Sequence, residues 1–189
     1  MDLTKLSDFA LLGHFKDEVR HPAHGTAFDE VLRRYERLIF HIARTYFKNN
    51  EDAKDATQDT AIKIYGNLQR VVISEEGSLK AWIATVTART CLDALRKKRP
   101  QTVPLVVEQA SGTEFSAEDM AVAKEKAEEI LRAIKKLPNN HRMIIILRDM
   151  KGLSYEDLAK TLGINIGTVK SQLNRARLSL KKLLEAQGT

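Results

Sequence analysis

Hydrophobic residues recur at every third or fourth position along most of this 189-residue chain. This interval matches the turn of an α-helix, whereas the strict alternation that marks strands is rare in the sequence. The longest such pattern runs from Thr26 to Phe47, and its apolar positions are Phe28, Val31, Leu32, Tyr35, Leu38, Ile39, Ile42 and Tyr46. The pattern predicts a long helix with one face in a hydrophobic core, within an all-α protein.

A second helix is predicted after Asn50, whose side chain is suited to cap it. One of its faces carries small and apolar residues at helical spacing: Ala53, Ala56, Thr60, Ile64 and Leu68. Asp52, Asp55 and Asp59 share another face, because residues three and four apart lie one above the other on a helix. The helix is therefore expected to have an acidic face.

A third helix is predicted to begin after Gly77 and Ser78 and to end before Pro100, which cannot continue a helix. Its apolar residues are Leu79, Trp82, Ile83, Val86, Leu92 and Leu95. Trp82 is expected in the core, because large aromatic side chains are usually buried and its spacing places it with the other apolar residues. The helix closes with four consecutive cations: Arg96, Lys97, Lys98 and Arg99.

The composition changes abruptly in the segment 100–116. This stretch, PQTVPLVVEQASGTEFS, holds two prolines and a Ser-Gly-Thr turn signal but no Lys or Arg. The patterns on both sides are those of basic amphipathic helices. The segment is therefore predicted to link two small helical domains, residues 1–99 and 117–189, and to let them move relative to each other in the free protein.

The second domain begins with two predicted helices. Ala117–Leu137 has the pattern of a charged amphipathic helix that Pro138 ends. Asn139 or Asn140 is suited to cap a short apolar helix that contains the sequence MIIIL and is expected to end near Gly152.

The rest of this domain has the pattern of a helix-turn-helix. Ser154 begins a helix as part of a capping box, Gly163 ends it, and Asn165 is suited to cap the final helix. Ala159 is small enough to let the two helices approach each other closely. Two helices joined by a short turn that contains glycine form the unit that places its second helix in the major groove of DNA.

The final helix is expected to present a cationic face to DNA. Its apolar residues Val169, Leu173, Ala176 and Leu180 turn inward, and no acidic residue occurs between Asn165 and Lys182. The polar residues that then point outward are Lys170, Ser171, Asn174, Arg175 and Arg177. Arg and Lys suit guanine edges, Asn suits adenine, and Ser suits bases or phosphates. The alternative is a solvated charged face on a three-helix unit.

Thr168 lies at the start of this helix, where free backbone amides are suited to hold a phosphate. Burial of the apolar residues turns Lys170, Ser171, Asn174 and Arg175 toward the groove. Arg177, Lys181 and Lys182 lie further along the helix and are expected to contact mainly phosphates.

The net charge and the cysteine and histidine residues limit the kinds of partner and site that the chain can have. The formal net charge of +6 favours a polyanionic partner. The single cysteine, Cys91, excludes an intramolecular disulfide and a Cys-rich zinc site. His21 and His24 lack further metal ligands nearby, so we expect no metal site and no cofactor. No phosphate-binding glycine loop or catalytic motif is recognisable, which argues against an enzyme.

No stretch reaches the ~18 apolar residues that a membrane-spanning helix needs, and the amino terminus has no long apolar run. These features predict no membrane insertion and a soluble protein of the reducing cytoplasm.

Two long stretches resemble the extracytoplasmic-function (ECF) sigma factors of bacteria. LPNNHRMIIILRDMKGLSYEDLAKTLGINIGTVKSQLNRARLSLKKLL is similar to their fourth conserved region almost from end to end. FDEVLRRYERLIFHIARTYFKNNEDAKDATQDTAIKIYGNL, followed by LKAWIATVTARTCLDALRKKRP, is similar to their second region, in the right order and at the right distance. The resemblance implies a protein that binds RNA polymerase core and directs it to promoters.

The resemblance also implies roles for individual residues. The acidic helix would dock on the clamp helices of the largest polymerase subunit through Asp52, Asp55, Gln58 and Asp59. The segment 70–79 would be the loop that reads the minus-10 element, with DNA backbone contacts from Lys80, Arg89, Arg96, Lys97 and Arg99. The final helix would read the minus-35 element. An anti-sigma factor is a further partner that the family implies.

Two other classes of function compete with this interpretation. A two-domain helix-turn-helix regulator would explain the second domain equally well, but its first domain would neither bind polymerase core nor support initiation. A protein-interaction adaptor would show no salt-sensitive DNA binding. The promoter sequence, the inducing signal and the identity of any anti-sigma factor cannot be read from the chain.

Overall fold

The computed structural model of the chain describes residues 2–20, 26–73, 78–97 and 117–186, and all regular elements in these ranges are helical. The helices are α1 (Asp8–Arg20), α2 (Thr26–Tyr46), α3 (Asn50–Leu68), α4 (Leu79–Lys97), α5 (Ala117–Lys136), α6 (Asn139–Ile145), α7 (Tyr155–Leu162) and α8 (Ile166–Glu185). A short 3₁₀ turn, Leu3–Lys5, precedes α1, and a π-helical turn, Ile146–Met150, continues α6. The predicted all-α fold is confirmed. The predicted linker 100–116 and Arg99 lie outside the described residues.

The capping residues agree with the sequence at three helix ends and differ at two. Ser154 and Asn165 accept hydrogen bonds from the amides of Asp157 (2.9 Å) and Thr168 (2.7 Å), as predicted. Gly163 ends α7 in the left-handed conformation, with φ +71°.

The predictions for the starts of α3 and α6 were wrong. Asn49 and not Asn50 caps α3, since its side chain accepts from the amide of Asp52 at 2.7 Å. At α6 the capping position is Pro138, which makes no side-chain hydrogen bond, and Asn139 is already the first helical residue. At α3 the two adjacent asparagines made the capping position ambiguous by one residue, whereas α6 begins one residue earlier than either asparagine would allow as its cap.

The amino-terminal helices α1 to α4 pack around a core of their own. Its buried residues come from α1, α2, the end of α3, the segment after it and the start of α4: Leu11, Leu12, Phe15, Ala27, Val31, Tyr35, Ile39, Ile64, Leu68, Val71, Ile73, Leu79 and Ile83. Trp82 is partly buried and packs against this cluster, as its spacing predicts.

A polar network fastens the amino-terminal segment to α2. Glu30, nearly buried, accepts two hydrogen bonds from Arg33 (2.7 and 2.8 Å) and one from Arg34 (2.9 Å). Arg34 also binds Asp8 of α1 at 3.1 Å and the carbonyl of Leu3 at 3.0 Å. Hydrogen bonds from Arg33 and Arg34 hold the pKa of Glu30 at about 2. The segment before α2 is therefore tied to the first domain.

The carboxyl-terminal helices α5 to α8 form the second unit. Helix α6 packs against α8, and α7 and α8 form the helix-turn-helix. In the turn, the amides of Gly163 and Ile164 both donate to the carbonyl of Ala159, each at 3.0 Å. Val169, Leu173 and Ala176 of α8 are fully buried beneath it. No helix in the described ranges has the length and apolar composition needed to cross a bilayer.

The two predicted domains are in direct contact. Helix α4 packs against α6, the π-helical turn and α7, and α2 packs against α5. One continuous cluster of buried side chains joins both units; it includes Ala84, Ala88 and Cys91 of α4 together with Ile134 and Leu158 of the second domain. The described helices therefore share part of their core across the predicted boundary.

Candidate polymerase and DNA interfaces

Helix α8 has the orientation that the sequence predicts. Its buried face is made by Val169, Leu173 and Ala176. The side chains at the four positions assigned to base reading are exposed: Lys170, Ser171, Asn174 and Arg175. The helix thus presents amide, hydroxyl and cationic groups in one row along its solvent face, which is the chemistry that base edges in a major groove require.

The first turn of α8 differs from the expectation at Thr168. Its amide donates to Asn165 Oδ1 at 2.7 Å, and its hydroxyl donates to the same atom at 2.9 Å. The amide of Thr168 is therefore occupied by the helix cap, and the phosphate contact at Thr168 stays a prediction. Ser171 in turn donates from its hydroxyl to the carbonyl of Thr168 at 3.0 Å.

The ring of Tyr155 has cationic groups of two other elements beside it. The guanidinium carbon of Arg148, in the π-helical turn, lies 4.5 Å from the ring centroid, and Lys170 Nζ of α8 lies at 5.8 Å. Arg148 is fixed further by a 2.6 Å hydrogen bond to the carbonyl of Leu153. These cation–π contacts restrict Lys170 at the point where α8 would enter the groove.

Arg177 is engaged by a carboxylate. Its Nε and Nη2 atoms bind the two oxygens of Asp149 at 3.0 and 2.5 Å. These hydrogen bonds raise the pKa of Arg177, which stays charged. The predicted phosphate contact therefore requires this pair to separate, a competition that the local sequence did not indicate because Asp149 lies 28 positions earlier in the chain.

The last two predicted phosphate ligands are accessible. Lys181 is 72% exposed and lies 3.6 Å from a carboxylate oxygen of Glu185, one turn further along the helix. Lys182 is also exposed, in the last turn of α8. Surface pairs of this kind contribute little to stability and separate readily in favour of another anion.

The acidic helix α3 presents most of the residues assigned to polymerase docking. Asp55, Gln58 and Asp59 are exposed, whereas Asp52 is half-buried next to the cap of the helix. This surface continues into an apolar position that was not predicted, Ile62, whose side chain is 70% exposed. The signal was its position, three and four residues beyond Asp59 and Gln58, which places it on the same face.

Helix α4 carries the cations assigned to the minus-10 region. Lys80, Arg89 and Lys97 are exposed, and Arg96 lies 3.7 Å from Asp93. Arg89 is not directed only to solvent, because its Nη2 atom donates to the carbonyl of Thr161 in α7 at 3.3 Å. One predicted DNA contact is therefore bound to the second domain.

Comparison with protein families matches both halves of the chain. Residues 31–101 match the model described as sigma-70 region 2, and residues 127–180 match the one described as sigma-70, region 4. The first match covers the half that a simple helix-turn-helix regulator would not share. It therefore decides against that alternative.

Individual relatives agree with these matches. The chain is 33% identical over 159 residues to the ECF RNA polymerase sigma factor SigM of Mycobacterium tuberculosis, and the alignment covers 84% of this chain and 77% of SigM. It is 27% identical to the ECF sigma factor SigE of Mycolicibacterium smegmatis, of whose length it spans 62%.

The fold is also similar to a solved structure, that of the sigma factor RpoE in complex with the anti-sigma factor NepR from Bartonella quintana. That structure superimposes on this chain with a TM-score of 0.62 and 25% sequence identity, and the match covers 84% of this chain and 96% of that one. The fold, the order of the two regions and the sequence identity thus all match ECF sigma factors over both units of the chain. The chain belongs to the ECF RNA polymerase sigma factors, the proteins that bind polymerase core and direct it to promoters.

Proposed function

We propose that this sigma factor docks on RNA polymerase core through the exposed face of α3. The support is the row formed by Asp55, Gln58 and Asp59, which is accessible while the opposite side of the helix is buried. Carboxylates on an open helix face suit an Arg-rich partner, because charge-assisted hydrogen bonds to guanidinium groups are strong and directional. Asp52, half-buried at the start of the helix, is assigned to the rim of this surface.

The minus-35 element is read, in this proposal, by α8. The side chains that face the groove are Lys170, Ser171, Asn174 and Arg175. Phosphate affinity comes from Lys181 and Lys182, and Arg177 adds to it only where its pair with Asp149 separates. Thr168 has a supporting role, because its amide and hydroxyl are held by Asn165 and stabilise the first turn. Exposure of the four reading positions above a fully buried apolar face is the observation that carries this assignment.

The minus-10 element is assigned to α4 and the preceding loop. Lys80, Arg89, Arg96, Lys97 and Arg99 would line the path of the DNA backbone, since unpaired strands are held by cationic grooves. Trp82 is assigned to packing, because it lies partly buried against the amino-terminal core.

An anti-sigma factor is proposed as a further partner, because RpoE, a relative with the same fold, was solved with one. We assign no catalytic role to this chain, since RNA synthesis belongs to the polymerase. A cytoplasmic location follows from the proposed partners, polymerase and promoter DNA.

Transcription reconstituted from purified core polymerase and genomic DNA fragments tests the function and identifies promoters together. The wild-type chain is expected to start transcripts at discrete sites that core alone does not use. The charge-reversed variant Asp55→Arg with Asp59→Arg should lose core association in native gels because the docking carboxylates are replaced by cations. The matched control, Glu36→Arg with Glu125→Arg, makes the same change in net charge at other exposed positions. Equal loss in both variants would contradict the docking assignment.

A further inference from the structure

A lysine and an arginine of the second domain lie against the end of α2. Lys135 Nζ of α5 donates to the carbonyl of Phe47 at 3.0 Å. Arg142 of α6 donates from Nη2 to the backbone carbonyl of Lys135 and, at 3.2 Å, to that of Leu137. Its guanidinium carbon lies 5.8 Å from the ring centroid of Tyr46. The position of Lys135 is therefore fixed at both its side chain and its backbone.

Two further cations lie beside this lysine. Arg44 is one helical turn before Phe47, and Lys48 follows Phe47 directly. Both bring positive charge close to Lys135, as Arg142 does. The α2-end cluster consists of these four basic residues: Arg44, Lys48, Lys135 and Arg142. Arg142 is buried, Arg44 and Lys135 are partly buried, and Lys48 is exposed, so the cluster is open to solvent on the side of Lys48.

The cluster changes the chemistry of the Lys135 amine. Burial, together with the positive charges of Arg44, Lys48 and Arg142, lowers the pKa of Lys135 from 10.5 to about 8. At about pH 7.5 this pKa leaves about a quarter of the amine unprotonated, whereas a pKa of 10.5 leaves about one part in a thousand. Removal from water and a neighbouring cation are the two features that make a lysine a nucleophile.

A purely structural role for Lys135 is the alternative. Cations are favoured at the carboxyl end of a helix, where they bind the last carbonyls and complement the helix dipole. Lys135 alone meets this need at the carbonyl of Phe47. Arg44 and Lys48 add charges of the same sign, which repel the protonated lysine. Capping therefore does not account for the cluster, and an anion bound to it would relieve the repulsion.

Phosphate is the anion that suits these side chains. Its oxygens accept charge-assisted hydrogen bonds from guanidinium and ammonium groups, and Arg44 and Lys48 offer one of each near solvent. An acyl group attached to such a phosphate would lie close to the Lys135 amine. The unprotonated amine still donates to the carbonyl of Phe47, and its lone pair is left for attack on the acyl carbon.

We propose that the α2-end cluster is a site of chemical modification, where a phosphate-bearing acyl donor binds to Arg44 and Lys48 and acylates Lys135. The amine nitrogen attacks the acyl carbon, an N–C bond forms, and the C–O bond to the phosphate breaks. The phosphate leaves with the bonding electron pair, and the proton lost from nitrogen passes to water. The products are inorganic phosphate and an uncharged amide at Lys135. None of the four residues belongs to the surfaces assigned to polymerase or DNA, so this proposal is independent of the proposed function.

Incubation of the full chain with acetyl phosphate tests the site. Peptide mass spectrometry after cleavage at glutamate measures the acetylation of each lysine. At about pH 7.5, Lys135 should react at least about tenfold faster than Lys136, its exposed neighbour on α5, because its larger unprotonated fraction outweighs its partial burial. The rate at Lys135 should rise through about pH 8 and level off above it. Equal rates at the two lysines would overturn the proposal.

Acetic anhydride, an acyl donor without phosphate, separates binding of the donor from reactivity of the amine. Arg44→Gln should reduce acetylation of Lys135 by acetyl phosphate at least about threefold more than acetylation by the anhydride, because only acetyl phosphate uses the guanidinium. Both donors are compared on the same variant, so a change in folding would affect both rates. The matched control, Arg37→Gln, removes an exposed cation elsewhere on α2 and should change neither rate. Equal reductions with the two donors would contradict the phosphate-binding role of Arg44 and with it the proposed site.

Discussion

The pair between Asp149 and Arg177 allows the phosphate-binding capacity of α8 to be increased by a single substitution. Asp149→Asn removes the charge that holds Arg177 while keeping the shape of the side chain. The pair is bidentate, and its partners are 31% and 53% exposed, so its contribution is that of a well-formed surface ion pair, about 1 kcal/mol at most. Releasing Arg177 to a phosphate should therefore tighten binding to duplex DNA by up to about fivefold at low salt.

Salt dependence separates this mechanism from a general loss of negative charge. One additional phosphate contact should steepen the plot of log affinity against log salt concentration by about one. Fluorescence anisotropy with a labelled duplex over a salt series measures both quantities. Arg177→Ala alone should change affinity little, because Asp149 already occupies the guanidinium.

The double variant Asp149→Asn with Arg177→Ala should lose the gain, and Glu125→Gln, which removes an exposed charge on α5, should show none. If the gain persists without Arg177, or if Asp149→Asn leaves affinity and slope unchanged, the competition between carboxylate and phosphate does not operate.

Three further predictions address reading, stability and domain boundaries. Arg175→Ala should reduce the binding free energy at the preferred minus-35 sequence by about 1–3 kcal/mol and relax the preference at one or two base pairs, whereas Lys182→Ala should weaken binding to all duplexes alike. If Arg175→Ala weakens binding to promoter and random DNA equally, Arg175 does not read bases. Glu30→Gln should lower the melting temperature at neutral pH. Because the pKa of Glu30 in the folded protein, about 2, is below its ordinary value of 4.5, the difference in melting temperature between variant and wild type should vanish as the pH falls from 4.5 to 2. Limited proteolysis should cut first within residues 100–116, and first cleavage inside α4 or α5 would contradict the predicted boundary.

Local sequence signals were sufficient for the helices and for the large apolar residues that each helix buries. The predicted helix Thr26–Phe47 is observed as Thr26–Tyr46, and the inward residues of α8 are those that the spacing selects. Helix periodicity and capping are properties of neighbours in sequence, so a single chain reveals them. The error of one residue at the start of α3 arises because Asn49 and Asn50 are equivalent caps in the sequence.

Contacts between distant residues could not be predicted in this way. Asp149 was not recognised as the partner of Arg177, nor Asp8 as the partner of Arg34 in α2, because each pair joins elements whose relative placement depends on the whole fold. The contact between Asp149 and Arg177 alters the candidate site directly, since an arginine that is already paired is a weaker DNA ligand than its position suggests.

Helix α4 shows why the packing of the two domains was also missed. Its large residues, such as Leu79 and Ile83, form the stripe that the sequence reveals, and they enter the amino-terminal core. Ala84 and Ala88 are equally buried, in the cluster that joins both domains. Small residues are found both inside and outside proteins, so their burial depends on a distant partner, as that of Thr85 depends on Thr161, 76 positions later in the chain.

The small size of these side chains also limits how strongly this surface holds the two domains together. Burying a methyl group contributes about 0.8 kcal/mol, whereas a fully buried leucine contributes about 1.5–3 kcal/mol. An α4 surface built from Ala84, Ala88 and Thr85 therefore lets α7 approach closely while contributing little apolar free energy to the contact. The property that hides this surface in the sequence, its lack of large apolar residues, is also the property that keeps its apolar contribution to the contact between the domains small.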